Sequence, residues 1–192
     1  MYEQELKGLI ERDEWMIDIL QTVRRLELHD WWVCAGFVRT KVWDSVHMFS
    51  KRTTLADIDV IHFDRRTERI SEGADHELED RLRSIHPNLP WSVKNQVRMH
   101  DRNGVKPYLS SIDAMSKFPE TATALGVTLD KDDKLSIAAP HGLLDAFQLY
   151  VKPTPAFLGN QKLMPIYEAR IAKKEWHKTW PRLTYWEASE YK

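Results

Sequence analysis

The stretch Thr54-Leu55-Ala56-Asp57-Ile58-Asp59-Val60-Ile61-His62-Phe63-Asp64 (TLADIDVIHFD) begins with two acids and then turns apolar. It reads as a β-strand, on which residues two apart share a face at roughly 6.5–7 Å. Asp57 and Asp59 are then neighbours, Ile58 and Val60 point to the opposite face, and Ile61 and Phe63 carry the acidic face into apolar material. The carboxylates therefore sit at the mouth of a strand that enters a core. Two like charges at that range repel, and one of them should hold its proton more tightly. A divalent cation removes the conflict, since Mg²⁺ takes one or two carboxylates together with phosphates and water. One aspartate capping a turn while the other is solvated fits the same residues, so this stretch alone leaves both readings open.

Upstream, Trp31-Trp32-Val33-Cys34-Ala35-Gly36 is a nearly continuous apolar run, as in a strand buried on both faces. It leads through Cys34-Ala35-Gly36-Phe37-Val38-Arg39-Thr40 into a helical pattern from Val38 to Met48. A strand running into a glycine and then a helix lets a ligand approach the backbone closely. It also presents helix N-terminal N–H groups and, one turn in, the Arg39 guanidinium. Those features suit a phosphate, although a tight turn alone would also call for glycine.

Working outward, residues 3–28 carry apolar positions at helical spacing, which predicts one or two amphipathic helices ending near His29-Asp30. Ala74 to Ile85 is a charged surface helix closed by Pro87 and Pro90. Trp91 to His100 (WSVKNQVRMH) alternates Trp91, Val93, Asn95, Val97 and Met99 against Ser92, Lys94, Gln96, Arg98 and His100, so it reads as a half-polar strand. Residues 101–104 read as a turn, 110–117 as a short helix capped by Ser110 or Ser111, 124–138 as a hairpin, 140–150 as a helix and 161–178 as a last helix. Helices interrupting strands argue for an α/β or α+β fold with a mixed sheet flanked by helices. A single domain over 1–192 is expected, its core at about 29–150, with helix 3–28 and a helical segment 156–192 packed on it.

The 192 residues include eight tryptophans, are 42% hydrophobic and have a net charge of −1, which marks an ordered chain with no global positive field. Any polyanion site must be local. Cys34 has no partner for a disulfide and sits in an apolar run as a small buried hydrophobe. The opening MYEQELKGLIERDEW lacks the basic and apolar regions of an export signal, and no window is long and apolar enough to span a bilayer. Cytoplasmic location without membrane attachment is the expectation. His62, His100 and His141 show no zinc-ligand spacing.

Taken together, Ala35-Gly36-Phe37-Val38-Arg39-Thr40 followed by Asp57-Ile58-Asp59 resembles the polymerase-β nucleotidyltransferase superfamily, in the version seen in head domains of CCA-adding enzymes. The blocks 93–100, 118–124, 139–145 and 152–155 also resemble single-domain bacterial nucleotidyltransferase-like proteins, and the likeness covers about residues 15–175. The resemblance implies Mg²⁺ or Mn²⁺ held by Asp57 and Asp59. It implies an NTP whose phosphates meet Gly36, Phe37, Arg39, Lys94 and Arg98, and transfer of a nucleoside monophosphate to a small-molecule or protein acceptor. Nucleic acid is a less favoured acceptor, because no separate RNA-binding body follows and the net charge is near neutral. Three departures stand out. Ala35 and Thr40 replace a small residue and an acid of the pattern, no serine follows Gly36, and the third acid many relatives carry on a later strand is best matched by Asn95. An amide ligates a cation but is no general base, so a nucleotide-binding or protein-interaction module without transfer chemistry is the alternative. Residues 168–186 mix Arg170, Lys173, Lys174, Lys178 and Arg182 with Trp176, Trp180, Tyr185 and Trp186. They suit either a stacking groove for single strands or a tryptophan face packed on the domain.

Overall fold

The computed structural model describes residues 1–187, with the side chains of Arg102 and Asn103 outside that description. Two helices open the chain, α1 (Tyr2–Glu11) and α2 (Glu14–Arg24), divided where the Asp13 carboxylate accepts from the Met16 N–H and starts the second. Then follow β1 (Trp32–Cys34), α3 (Gly36–Val46), β2 (Ile58–His62), α4 (Glu72–Ile85) and β3 (Trp91–Asn95). Short helices α5 (Met99–Asn103) and α6 (Ser111–Met115) lead to the hairpin β4 (Gly126–Leu129) and β5 (Leu135–Ala138). The last elements are α7 (Leu144–Phe147), β6 (Tyr150–Val151), α8 (Pro155–Leu158), α9 (Met164–Lys174) and β7 (Thr184–Tyr185).

One sheet runs in the order β3-β2-β1-β4-β5. Strands β2 and β3 are parallel, with Asp59 opposite Ser92 and His62 opposite Asn95, while β1 is antiparallel to both β2 and β4. The face carrying Val33, Ile58, Val60, Val93 and Val127 is covered by helices that contribute Leu20, Phe37, Val42, Leu78 and Leu82 to one continuous apolar cluster. That cluster reaches from Leu6 to Leu183. Helix α3 lies at its centre, buried on nearly every side, and Trp43 meets Trp176 and Trp180 edge-on at ring-centre distances of 5.3 and 5.0 Å. Edge-to-face geometry suits the ring quadrupoles. The opposite face is smaller and apolar only in part: Cys34, Ile61, Met115, Ala124 and Ala138 pack there beside the acids. Met115 of α6 lies over Gly126, where an added Cβ would meet its terminal methyl and the Cβ of Trp32, so the methionine side chain would have to shift.

The fold is the mixed sheet flanked by helices that the sequence predicts, with several boundaries moved. The strand expected over 91–100 ends at Asn95, because the Asn95 Oδ1 accepts the N–H groups of Asp64 and Val97 and turns the chain into α5. A turn was expected over 101–104, where α5 instead ends on Gly104 in the left-handed region at φ 62°. The helix expected over 140–150 shrinks to α7, since Pro140 and the positive-φ Gly142 (φ 77°) hold the chain in a turn first. The helix expected over 161–178 splits into α9 and a 3₁₀ turn at Trp176–Lys178. The end of the predicted 156–192 segment, residues 188–192, lies outside the described residues.

Candidate active site

Between β1 and α3 the chain turns through Ala35 at φ 54° and ψ −115°, a conformation that L side chains resist. It is held there by the Ala35 N–H donating to the Leu125 carbonyl at 2.9 Å. Strain of this kind costs about 1–3 kcal/mol and clusters where a ligand is bound. Glycine would relieve it, at the expense of a buried methyl and a freer unfolded chain. Ala35→Gly is therefore expected within about 1 kcal/mol of the parent, and Ala35→Val about 2–3 kcal/mol less stable in urea melts.

The next residue, Gly36, begins α3 and leaves the helix's first N–H groups without intrahelical partners. A Cβ on Gly36 would stand 3.9 Å from Asp57 Oδ1 and 3.7 Å from Arg39 Nη2. The turn, the first acid and the arginine thus meet around one backbone atom. Asp57 stands immediately before β2, and Asp59 is the second residue of that strand, opposite Cys34 of β1. Burial, then the charge of Asp57, pushes the Asp59 carboxyl up to about 6, against the opposing pull of a hydrogen bond from Ser92 and the charges of Arg170 and Arg39. The same burial and the two carboxylates push the Cys34 thiol well up, so it stays a protonated, fully buried hydrophobe.

Arg39 is 8% exposed and packs against a pair of touching indoles, its guanidinium carbon 4.4 Å from the Trp176 ring centre and 4.9 Å from that of Trp43. Its Nε finds no partner among the described residues. Burial lowers its pKa to about 10, with the charge of Glu120 the strongest opposing influence, so it remains a cation at neutral pH. Glu120 is fully buried and accepts from Arg170 Nε at 2.6 Å and from the Thr123 hydroxyl at 2.6 Å. Arg170 reaches in from α9 and, with Asp59, Ile61, Lys94 and Phe157, lines a cavity of about 810 Å³ over the acid face of the sheet.

The remaining sequence-predicted residues divide. Phe37 points into the main core, tilted against Trp15 at 5.9 Å. Lys94 lines the cavity with its stem but turns its ammonium to the Glu79 carboxylate at 3.1 Å and the Val93 carbonyl at 2.8 Å. Arg98 is bound to the buried carboxylate of Asp75 on α4, on the side of the sheet away from the acids. Asn95 lies there too, fully buried, its amide donating to the carbonyls of Asp64 (2.8 Å) and Arg69 (2.9 Å). The residue of β3 beside Asp59 is Ser92, three positions earlier. The expectation that Asn95 stands in place of a third acid is corrected: alternation puts it on the other face, and its polar atoms are already spent. Sequence reasoning passed over Glu120 and assigned Arg170 only to a general basic segment. The one local hint was Glu120 inside an otherwise apolar and hydroxyl-bearing block, Phe118–Ala124.

Asp57 and Asp59 fit a hard divalent cation, because two clustered carboxylate groups, one resisting ionisation, are what such an ion would relieve. Among the described residues no group of three or more His, Cys, Asp or Glu side chains is arranged to hold a metal alone, so a ligand's phosphates would have to complete the shell. No helix among them is long and apolar enough to cross a membrane.

A sequence model of a family described as nucleotidyltransferase matches residues 21–185. The chain belongs to this nucleotidyltransferase family. One solved structure, at 37% identity, covers 96% of both chains with a TM-score of 0.86; it is an NMR structure that reveals a CCA-adding enzyme head domain. The nucleotidyltransferase fold extends to a CCA-adding enzyme determined with CTP, at 15% identity and a TM-score of 0.58. That likeness covers 97% of this chain but 44% of the enzyme, so the present chain spans less than half its length. No protein of curated function matches the sequence. Membership of the polymerase-β-type superfamily, implied by the acid pair and the Gly36 turn, agrees with the family match and with this fold.

Proposed function

We propose that the protein transfers a nucleoside monophosphate from an NTP to an acceptor hydroxyl, with Mg²⁺ or Mn²⁺ held by Asp57 and Asp59. The observation that carries this reading is the meeting of Asp57, Gly36 and Arg39 around one backbone turn, with Asp59 next along the strand. A bound cation would neutralise phosphate charge and aid departure of pyrophosphate. The chain's own residues supply the rest. The first N–H groups of α3 and the Arg39 guanidinium face the phosphates, and the close approach at Gly36 lets them come near the backbone. The tryptophan pair packed against Arg39 shields that cation from water, which strengthens its hold on an anion. The acceptor hydroxyl approaches the α-phosphorus from the side away from the departing pyrophosphate. Its oxygen bonds to the α-phosphorus as the bond to the bridging oxygen of pyrophosphate breaks, and its proton passes to water.

Ser92 beside Asp59 favours a second reading, a nucleotide-binding module without transfer, because a hydroxyl is no general base at neutral pH. Incubation with α-labelled NTPs, Mg²⁺ and a fractionated cell extract separates the two. Label moved to any acceptor is expected; tight Mg²⁺-dependent NTP binding with no transfer to any fraction would favour the module.

A further inference from the structure

We propose that Arg170, positioned by Glu120, is a phosphate-holding residue of the nucleotide site that grips the pyrophosphate end of the NTP. This rests on the nucleotidyltransferase reading above and names a contact that the acid pair and the turn do not supply. Three observations carry it. Arg170 lines the same cavity as Asp59, although the two are far apart in sequence and lie on unrelated elements. Its Nε is taken by Glu120 at 2.6 Å, an ion pair whose acid is fully buried and further fixed by Thr123. The side chain of Arg170 is itself 32% exposed, so the guanidinium stays open to a ligand. With Nε occupied, the fork is held in one orientation and the two terminal nitrogens are presented as a preformed pair of donors, the geometry that suits phosphate oxygens.

The charge balance points the same way. Arg39 and Arg170 lie close enough to act on each other, and both act on Asp59. Glu120 offsets one positive charge of the two arginines, and the acid pair faces them. A nucleotide triphosphate with its cation would bring anionic oxygens between the arginines and a positive ion between the carboxylates, matching the arrangement group by group.

The test compares ATP, pyrophosphate and AMP by calorimetry at fixed Mg²⁺, with AMP also measured in competition against ATP. Arg170→Met alone leaves Glu120 buried without its partner and risks unfolding, so the variant used is Arg170→Met/Glu120→Gln, which removes both charges. Loss of a charge-assisted pair of bonds predicts an affinity for ATP and pyrophosphate weakened about 10–100-fold with AMP little changed. Arg170→Lys keeps the charge but not the fork and is expected to fall between. Glu120→Gln keeps an acceptor for Nε and is expected to retain most of the pyrophosphate affinity. Equal weakening for ATP and AMP, or none, would overturn the role of Arg170 while leaving the site in place. A parent protein that binds neither ATP nor pyrophosphate would overturn the nucleotide reading itself, and this contact with it.

Discussion

Changing Asp57 and Asp59 together to asparagine is expected to remove the Mg²⁺ dependence of NTP binding and to lower label transfer by about 10³-fold or more, the scale reached when charge stabilisation of a transition state is lost. Calorimetry with and without Mg²⁺ and a transfer assay read the two effects separately; unchanged Mg²⁺ dependence would place the cation elsewhere. The fold is expected to gain from half of this change. An aspartate with a pKa near 6 in the native state and 3.8 when unfolded binds its proton more tightly in the folded protein. The stability of the metal-free parent therefore falls as pH rises from about 4 to about 6 and stays lowered above that window. Asp59→Asn should restore about 1–3 kcal/mol at pH 7–8 and nothing below pH 4, as measured by urea melts in EDTA. Adding Mg²⁺ to the parent should narrow the difference.

The second large effect falls on Asn95 and separates structure from chemistry. Its amide donates to two carbonyls and accepts from two N–H groups, which ties the end of β3 to the segment after β2. Asn95→Asp keeps the acceptor and loses both donors, and it places a buried charge near Asp64 and Asp75. A cost of about 3–5 kcal/mol is expected, with Mg²⁺ and NTP affinity unchanged in the fraction that folds. Ser92→Asp makes the converse change. It sets a third carboxylate beside Asp59, and it should raise Mg²⁺ affinity and quicken any transfer while lowering metal-free stability. If Asn95→Asp were the variant that tightened Mg²⁺ binding, the register of β2 against β3 would be wrong.

What the sequence could and could not reveal follows from the range of the interactions. Asp57 and Asp59 are legible because a strand's period of two places them together without help from the rest of the chain. Gly36 and Arg39 are legible because a strand-to-helix junction is local, and the structure brings both beside Asp57. The register between β2 and β3 is not local. Nothing in WSVKNQVRMH says that Ser92 rather than Asn95 stands beside Asp59 or that alternation stops at Asn95, and the same gap put Arg98 on the wrong side of the sheet. Lys94 was placed on the correct face, yet an edge strand let its ammonium swing to Glu79. Glu120 and Arg170 were beyond reach for a related reason: their pairing spans 50 residues, and neither segment carries a periodic signal for it. The tryptophans of the last segment offered two uses, and Trp176 and Trp180 take the packed one, buried against Trp43.

That packing bears on how the protein is made. Arg39 emerges from the ribosome early, followed soon by both acids, whereas the indole that covers it, Trp176, and the Trp180 ring that donates to Asp44 at 2.9 Å are synthesised well over a hundred residues later. Until then the nascent chain carries α3 with an uncovered tryptophan and an unscreened guanidinium. Translation order thus leaves the corner around Arg39 uncovered until the segment carrying Trp176 and Trp180 has been made. Covering Arg39 is a long-range event and not a local one.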